Sequence, residues 1–145
     1  MEVDAACYKL GLIFVGLNPR YTASEIKKLF ALSEINTLVI PLNGIASKLE
    51  ILDTETLRHV ITIGSDNNLK NTKTISFFDY DLLIESHLPT EPKVEIFPTD
   101  IKRLDMTSGS SGKPKAVVVT HQNISTQTLS DLLCLGGDQP AKAPI

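Results

Sequence analysis

The sequence predicts an α/β fold in which a layered, largely parallel sheet is flanked by helices. Short apolar runs rich in β-branched residues alternate along the chain with segments of helical periodicity, a pattern typical of parallel strands joined by helical crossovers. The 145 residues are 42% hydrophobic and 21% charged, a composition found in globular proteins and not in disordered or fibrous ones. No internal repeat is visible, so the fold is not a repeat array.

The first predicted elements are a helix and a strand. Residues 3–10 predict a helix that ends at Gly11, because glycine commonly follows the last turn of a helix. Residues 12–15 predict an apolar strand, and the Asn18-Pro19 pair predicts the turn after it. A helix already under way at residue 3 is unusual for a complete domain. We therefore expect the chain to be an incomplete part of a larger fold.

The start of the second helix is marked by a capping box. The hydroxyl of Thr22 can accept from the amide of Glu25, while the Glu25 carboxylate can accept from the amide of Thr22. The helix that follows has an amphipathic pattern, with one apolar side directed at the core. That apolar side is formed by Ile26, Leu29 and Phe30.

The middle of the chain predicts two strands. Residues 37–40 form a short β-branched run, which Pro41 and a turn at Asn43-Gly44 would close. Residues 45–57 are weakly helical. Residues 58–63 predict a buried strand that leaves into a polar loop.

The C-terminal half predicts a capped helix and two more strands. Asp79 is placed to cap a short helix over residues 80–85. Strands are predicted at residues 103–107 and 116–120, on either side of a stretch rich in serine and glycine. This arrangement places polar, flexible residues between two rigid elements.

A final helix is predicted to begin near Asn123 and to end before Gly136. Two prolines in the residues after it argue against further regular structure. The predicted organisation is a partial domain over residues 1–135 and a disordered tail over residues 136–145.

Composition and charge exclude several classes of partner and location. The net charge of −3 gives no bulk attraction to nucleic acid. The longest apolar run, Leu10–Leu17, is far shorter than the roughly 20 residues that a membrane-spanning helix needs. Glu2 and Asp4 stand where a signal peptide carries basic residues. We expect an intracellular protein, cytoplasmic or peroxisomal, in which Cys7 and Cys134 are reduced and mostly buried.

The stretch from Thr107 to Lys115 has the composition of an anion-binding loop. Glycines allow backbone amides to converge on one point, hydroxyls donate to phosphate oxygens, and a lysine supplies positive charge. No acidic residue occurs from Met106 through Ser130. Pro114 stands where a Walker A loop requires serine or threonine, which excludes that motif. The alternative is a flexible Ser/Gly linker.

The nine residues Thr-Ser-Gly-Ser-Ser-Gly-Lys-Pro-Lys, with Leu104 three positions before them, resemble the phosphate-binding signature of the adenylate-forming (AMP-binding) superfamily. The Thr-His-Gln-Asn sequence at residues 120–123 is similar to the helix start that follows this signature in the family. The Asn-Pro-Arg-Tyr-Thr sequence at residues 18–22 is most similar to the branch of 4-coumarate:CoA ligases, luciferases and acyl-CoA ligases. The resemblance covers residues 5–128.

This resemblance implies a reaction and a set of binding residues. Members of the family activate a carboxylate with ATP and Mg²⁺, form an acyl-adenylate, release pyrophosphate, and in many cases transfer the acyl group to CoA. His121 is a candidate contact for the acyl substrate, with a role at the helix start as the alternative. No catalytic residue and no metal ligand are carried over. The residues implied in holding the ATP phosphates are Thr107, Ser108, Gly109, Ser110, Ser111, Gly112 and Lys115.

Later family motifs have no counterpart in this chain. The adenine-binding and ribose-binding motifs and the C-terminal catalytic lysine are absent from its sequence. We therefore expect a fragment of the large N-terminal domain of an ATP-dependent acyl/aryl-CoA ligase, which is inactive alone and whose parent enzyme acts on a small-molecule carboxylate. The alternative is a non-catalytic remnant, or a module that binds a nucleotide or a partner.

Overall fold

The computed structural model describes residues 1–46, 49–64, 70–107 and 115–135 and shows a mixed α/β fold. The helices are α1 (Glu2–Leu10), α2 (Ala23–Ser33), α3 (Leu42–Ala46), a 3₁₀ turn (Leu49–Leu52), α4 (Tyr80–Ser86) and α5 (His121–Leu135). The strands are β1 (Phe14–Val15), β2 (Thr37–Pro41), β3 (His59–Ile63), β4 (Ser76–Asp79), β5 (Ile101–Thr107) and β6 (Lys115–Thr120).

The described strands form two three-stranded sheets. One has the order β2-β3-β4 with all strands parallel, so that Thr37 pairs with His59 and His59 pairs with Ser76. The other has the order β1-β5-β6, in which β1 and β5 are parallel while β5 and β6 are antiparallel. The predicted α/β class with flanking helices is confirmed.

The antiparallel pair has a simple cause. Residues 108–114 connect β5 to β6, and a connection of that length is shorter than the dozen or more residues that a parallel crossover needs. The two strands can therefore only return alongside each other as a hairpin. The stretch rich in serine and glycine is thus a hairpin connection, at the end of the central strand of its sheet.

The apolar core lies between α2, the parallel sheet and the segment before β3. Phe30 is the largest of the fully buried side chains, and the predicted apolar side of α2 is buried as expected. The core cluster consists of Ile26, Phe30, Leu38, Ile51, Leu57, Val60 and Ile75.

Local capping signals in the sequence are confirmed in the structure. The amide of Glu25 donates to Thr22 Oγ1 at 3.3 Å, and the amide of Thr22 donates to Glu25 Oε2 at 2.8 Å. Asp79 Oδ1 accepts from the amide of Leu82 at 3.0 Å, which caps α4. Gly11 follows α1 with a φ of 65°, a left-handed conformation that glycine adopts without strain.

Other sequence predictions were wrong or fall outside the described residues. The predicted Asn43-Gly44 turn lies within α3, where the glycine permits close packing, because a Cβ there would approach Ile40 Cγ1 to 3.1 Å. Strand β4 was not predicted. The helix predicted to begin near Asn123 begins at His121, two residues earlier, in agreement with the prediction. Cys134 is exposed and not buried, as are the described side chains around it in α5. The predicted tail over residues 136–145 lies outside the described residues.

Candidate phosphate-binding site

The base of the candidate loop is the open end of the β5–β6 hairpin. Thr107, the last residue of β5, pairs with Lys115, the first residue of β6, and Thr107 Oγ1 donates to the carbonyl of Lys115 at 3.3 Å. The predicted site residues Ser108, Gly109, Ser110, Ser111 and Gly112 lie outside the described residues. The structure thus positions the two ends of the loop directly beside each other.

The loop leaves the sheet at a carboxyl edge. β5 is parallel to β1, with Val15 paired to Leu104, so the segment after β1 leaves the sheet at the same edge as the loop. In α/β proteins, ligands bind outside the carboxyl ends of the strands. The Asn18-Pro19 turn and the candidate loop, which are far apart in sequence, are therefore located at one edge.

The electrostatics at the base of the loop favour an anion. Lys115 is exposed and forms no ion pair with any described residue. Asp105, the nearest acidic residue of β5, is paired with Arg103, with 3.1 Å between Asp105 Oδ2 and Arg103 Nη2. Since this carboxylate is already paired, it offsets the charge of Lys115 less than a free one would. A hydroxyl and an ammonium group are the donors that phosphate oxygens accept from.

His121 lies at the opposite end of the hairpin. Thr120 pairs with Ile101, whereas the loop begins at the pair of Thr107 and Lys115. Six residues of extended strand from Lys115 to His121 correspond to about 20 Å. This separation favours the helix-start role of His121 over direct contact with a carboxylate held beside the loop.

The residues around His121 form a second capping box. The amide of Thr120 donates to Asn123 Oδ1 at 3.0 Å, and the amide of Asn123 donates to Thr120 Oγ1 at 3.2 Å. The Thr-His-Gln-Asn sequence thus encodes the start of α5. The first and last residues of this motif satisfy backbone donors that a helix start would leave unpaired.

The buried end of the hairpin holds an ion pair that the sequence did not reveal. Lys102 is 7% exposed, and its Nζ lies 3.1 Å from Asp4 Oδ1 on α1 and 5.5 Å from the ring centroid of Tyr8. The Tyr8 ring in turn packs on His121, with 4.9 Å between the ring centroids. These contacts fix α1 against β5 and α5. No sequence signal pointed to Lys102, because the predicted strand began after it.

The ion pair also affects a neighbouring thiol. Burial raises the pKa of Cys7 above its ordinary value of 9.0, and the negative charge of Asp4 raises it further, against a smaller lowering by Lys102. A raised pKa leaves less thiolate at neutral pH, and the thiolate is the reactive form. This direction of the shift disfavours Cys7 as a nucleophile.

The described part of the chain contains neither a metal site nor a membrane-spanning helix. No three histidine, cysteine, aspartate or glutamate side chains come together there in a way that could hold a metal ion. Within the same residues, every helix is too short or too polar to cross a bilayer.

The chain is similar to AMP-binding enzymes and to CoA ligases. The sequence profile of the family described as AMP-binding enzyme matches residues 1–140. The 4-coumarate–CoA ligase CCL1 of Humulus lupulus is 31% identical over 137 residues, which are 94% of this chain and 23% of that ligase.

Solved structures share the fold at low sequence identity. A red-emitting luciferase from Phrixothrix hirtus has a TM-score of 0.71 and 19% identity over 97% of this chain and 27% of the luciferase. An anthranilate CoA ligase in complex with anthranoyl-AMP has a TM-score of 0.70 and 21% identity over 83% of this chain and 22% of that chain.

The α/β fold of the chain is shared with part of the luciferase and part of the anthranilate CoA ligase. The match over residues 1–140 is more specific, and the chain belongs to the family of AMP-binding enzymes, with acyl- and aryl-CoA ligases among its relatives. The resemblance inferred from the Thr107–Lys115 stretch is thereby confirmed. The chain spans about a quarter of the length of the relatives it matches.

Proposed function

We propose that this segment supplies the ATP-phosphate loop of a carboxylate-activating ligase. In the complete enzyme, ATP and a carboxylate would form an acyl-adenylate and pyrophosphate, and CoA would then accept the acyl group. The observation that carries the proposal is the β5–β6 hairpin, which holds Thr107 and Lys115 as a pair at the carboxyl edge of the sheet.

The residues present fit the proposed ligand. The Lys115 ammonium, free of ion pairs with described residues, can offset phosphate charge. The Thr107 hydroxyl, which now donates to the carbonyl of Lys115, would donate to a phosphate oxygen only in exchange for that bond. By their residue types, Ser108, Gly109, Ser110, Ser111 and Gly112 would supply amides and hydroxyls to the β- and γ-phosphates. Mg²⁺ would arrive with ATP, since phosphates and water supply most of its preferred oxygen ligands.

The chain's own contribution to the reaction is to position and stabilise a leaving group. Donors fixed at the end of a paired hairpin hold the pyrophosphate in place while the carboxylate attacks the α-phosphorus. The attacking carboxylate, the adenine and the CoA would be held elsewhere in the complete enzyme. Since ATP and CoA are substrates found inside cells, we propose an intracellular location, in the cytoplasm or in a peroxisome.

The test is a titration of the 145-residue chain with pyrophosphate, followed by backbone amide chemical shifts. We expect shifts confined to residues 107–115 and a dissociation constant in the millimolar range, equivalent to about 4 kcal/mol, because water and salt compete at an exposed loop. Added salt should weaken binding further.

Two variants make the titration specific. Lys115→Ala should weaken binding, whereas Lys28→Ala, which removes an exposed lysine from α2, should leave it unchanged. Shifts that scatter over the surface lysines, or equal effects of the two variants, would contradict the proposal. Carboxylate-dependent exchange between ATP and pyrophosphate by the isolated chain would contradict the expectation that it is inactive alone.

A further inference from the structure

One face of the β5–β6 hairpin carries a row of charged side chains that ends at the candidate loop. Arg103, Asp105 and Thr107 are alternate residues of β5, so their side chains project from the same face of the sheet. The side chain of Lys115 projects from that face too, because Lys115 pairs directly with Thr107. Two cations and one carboxylate therefore share one face of the hairpin.

Asp105 is close enough to Lys115 to form an ion pair with it. The two residues are diagonal neighbours across the hairpin, since Asp105 pairs with Val117, two residues after Lys115. Diagonal neighbours on one face are about 7–8 Å apart, which a long side chain spans. Asp105 is also the one acidic residue of the sequence from residue 101 to residue 130. An unpaired carboxylate at this position would therefore compete with phosphate for the Lys115 ammonium.

Arg103 holds that carboxylate in a different ion pair. Arg103 Nη2 lies 3.1 Å from Asp105 Oδ2, with 35% of the arginine side chain and 48% of the aspartate side chain exposed. The side chain of Arg103 is packed within the sheet, because its Nε is buried and β5 is the central strand between β1 and β6. Lys115 has no ion pair with any described residue. The carboxylate is thus paired with the cation farther from the loop.

We propose that Arg103 is a positioning residue for the phosphate site, and this inference rests on the proposed function. By pairing with Asp105, Arg103 prevents that carboxylate from neutralising the Lys115 ammonium, which stays available to phosphate oxygens. Arginine suits this role because its guanidinium keeps its charge and matches the shape of a carboxylate. The effect needs no contact between Arg103 and the ligand, since it concerns the state of Lys115 in the free chain.

The first test measures pyrophosphate binding by the 145-residue chain through backbone amide chemical shifts. We expect Arg103→Gln to weaken binding about fivefold, the size of effect that one exposed ion pair can have, because the released Asp105 would pair with Lys115. In the Asp105→Asn background the same substitution should change binding by less than about twofold, since no carboxylate is released. Arg103→Lys keeps the charge and should bind within about twofold of the parent chain.

A second pair of variants tests the carboxylate without changing Arg103, so the result does not depend on the folding of an arginine variant. Val117→Asp places a second carboxylate on the charged face, and Arg103 can pair with only one of the two. This variant should weaken binding about fivefold. Val118→Asp is the matched control, because it adds the same charge to the opposite face of β6 and should change binding by less than about twofold. Val117 and Val118 are similarly exposed, at 47% and 52%.

Acetylation of the chain without ligand, measured by peptide mass spectrometry, tests the state of Lys115 directly. A carboxylate partner favours the charged form of an amine, whereas the neutral form is the one that reacts. We therefore expect Lys115 to be acetylated about fivefold more slowly in Arg103→Gln, and at the parent rate in Arg103→Gln/Asp105→Asn. Lys28, exposed on α2, is the internal control and should react at one rate in all variants.

The outcomes separate this inference from the proposed function. Equal weakening by Arg103→Gln in the parent and in the Asp105→Asn background would show a general charge effect and overturn the inference. Equal effects of Val117→Asp and Val118→Asp, or unchanged acetylation of Lys115 in Arg103→Gln, would overturn it as well. If the parent chain does not bind pyrophosphate while acetylation of Lys115 slows as expected, the inferred role of Arg103 is supported and the proposed function fails.

Discussion

Replacing Phe30 with alanine should remove a large part of the stability of this fold. Phe30 is 0% exposed and is the largest of the fully buried side chains, in a cluster with Leu38, Ile51 and Val60. Truncation of a buried phenylalanine to alanine costs about 3–5 kcal/mol, through lost transfer free energy and the cavity left behind. The free energy of unfolding of a small domain is about 5–15 kcal/mol in total. The variant should therefore raise the unfolding equilibrium constant by about a thousandfold.

Urea denaturation followed by far-ultraviolet circular dichroism measures this cost, since the chain has no tryptophan for fluorescence. Leu32→Ala is the matched control, because Leu32 lies on the same helix but is 53% exposed. We expect the control to stay within about 1 kcal/mol of the parent chain. A cost below about 1 kcal/mol for Phe30→Ala, or equal costs for the two variants, would refute the description of the core.

Three further predictions follow from local interactions. The amide and hydroxyl of Thr22 lower the pKa of Glu25 below its ordinary value of 4.5. The ionised carboxylate therefore stabilises the fold above pH 4.5, and this stabilisation is lost as the pH falls through the lower pKa of the folded state. Glu25→Gln should flatten this acid dependence in urea titrations, and an unchanged dependence would contradict the assignment. Iodoacetamide should alkylate the exposed Cys134 faster than Cys7, whose pKa is raised by burial, and peptide mass spectrometry should show it; equal rates would be inconsistent with the structure. Asp4→Ala should speed alkylation of Cys7, because the negative charge of Asp4 raises the pKa of that thiol. The variant should lower the free energy of unfolding by about 1 kcal/mol, since the Asp4 carboxylate of the lost ion pair is partly exposed to solvent. Unchanged alkylation would argue against the contact.

Local signals in the sequence predicted the elements well. The capping box at Thr22 and the cap at Asp79 each depend on residues within one helical turn of each other. They can therefore be identified from the sequence without knowledge of the fold. The same holds for the apolar side of α2. The phosphate-binding loop stays a prediction, which the sequence permits for a related reason, since the signature occupies nine consecutive residues between two strands.

Other local patterns predicted the wrong element, because contacts with residues distant in sequence determine the secondary structure there. Asn43-Gly44 has a turn-like sequence, yet Gly44 lies in a helix, where a Cβ would come within 3.1 Å of Ile40 Cγ1 and glycine is therefore the easier residue to pack. Strand β4 is four residues long and passes directly into the Asp79 cap, so pairing with β3 defines it more than its own sequence does.

By itself the sequence determined the α/β class, the helix caps at Thr22 and Asp79, and the family, whereas the phosphate-binding role of the Thr107–Lys115 loop stays a prediction. The tertiary structure alone decided the division into two sheets, the burial of Lys102 beside Asp4, and the position of His121 at the end of the hairpin away from the loop. Pairing and burial are set by residues distant in sequence. No window of consecutive residues contains that information, whereas caps and loop signatures are complete within a few positions.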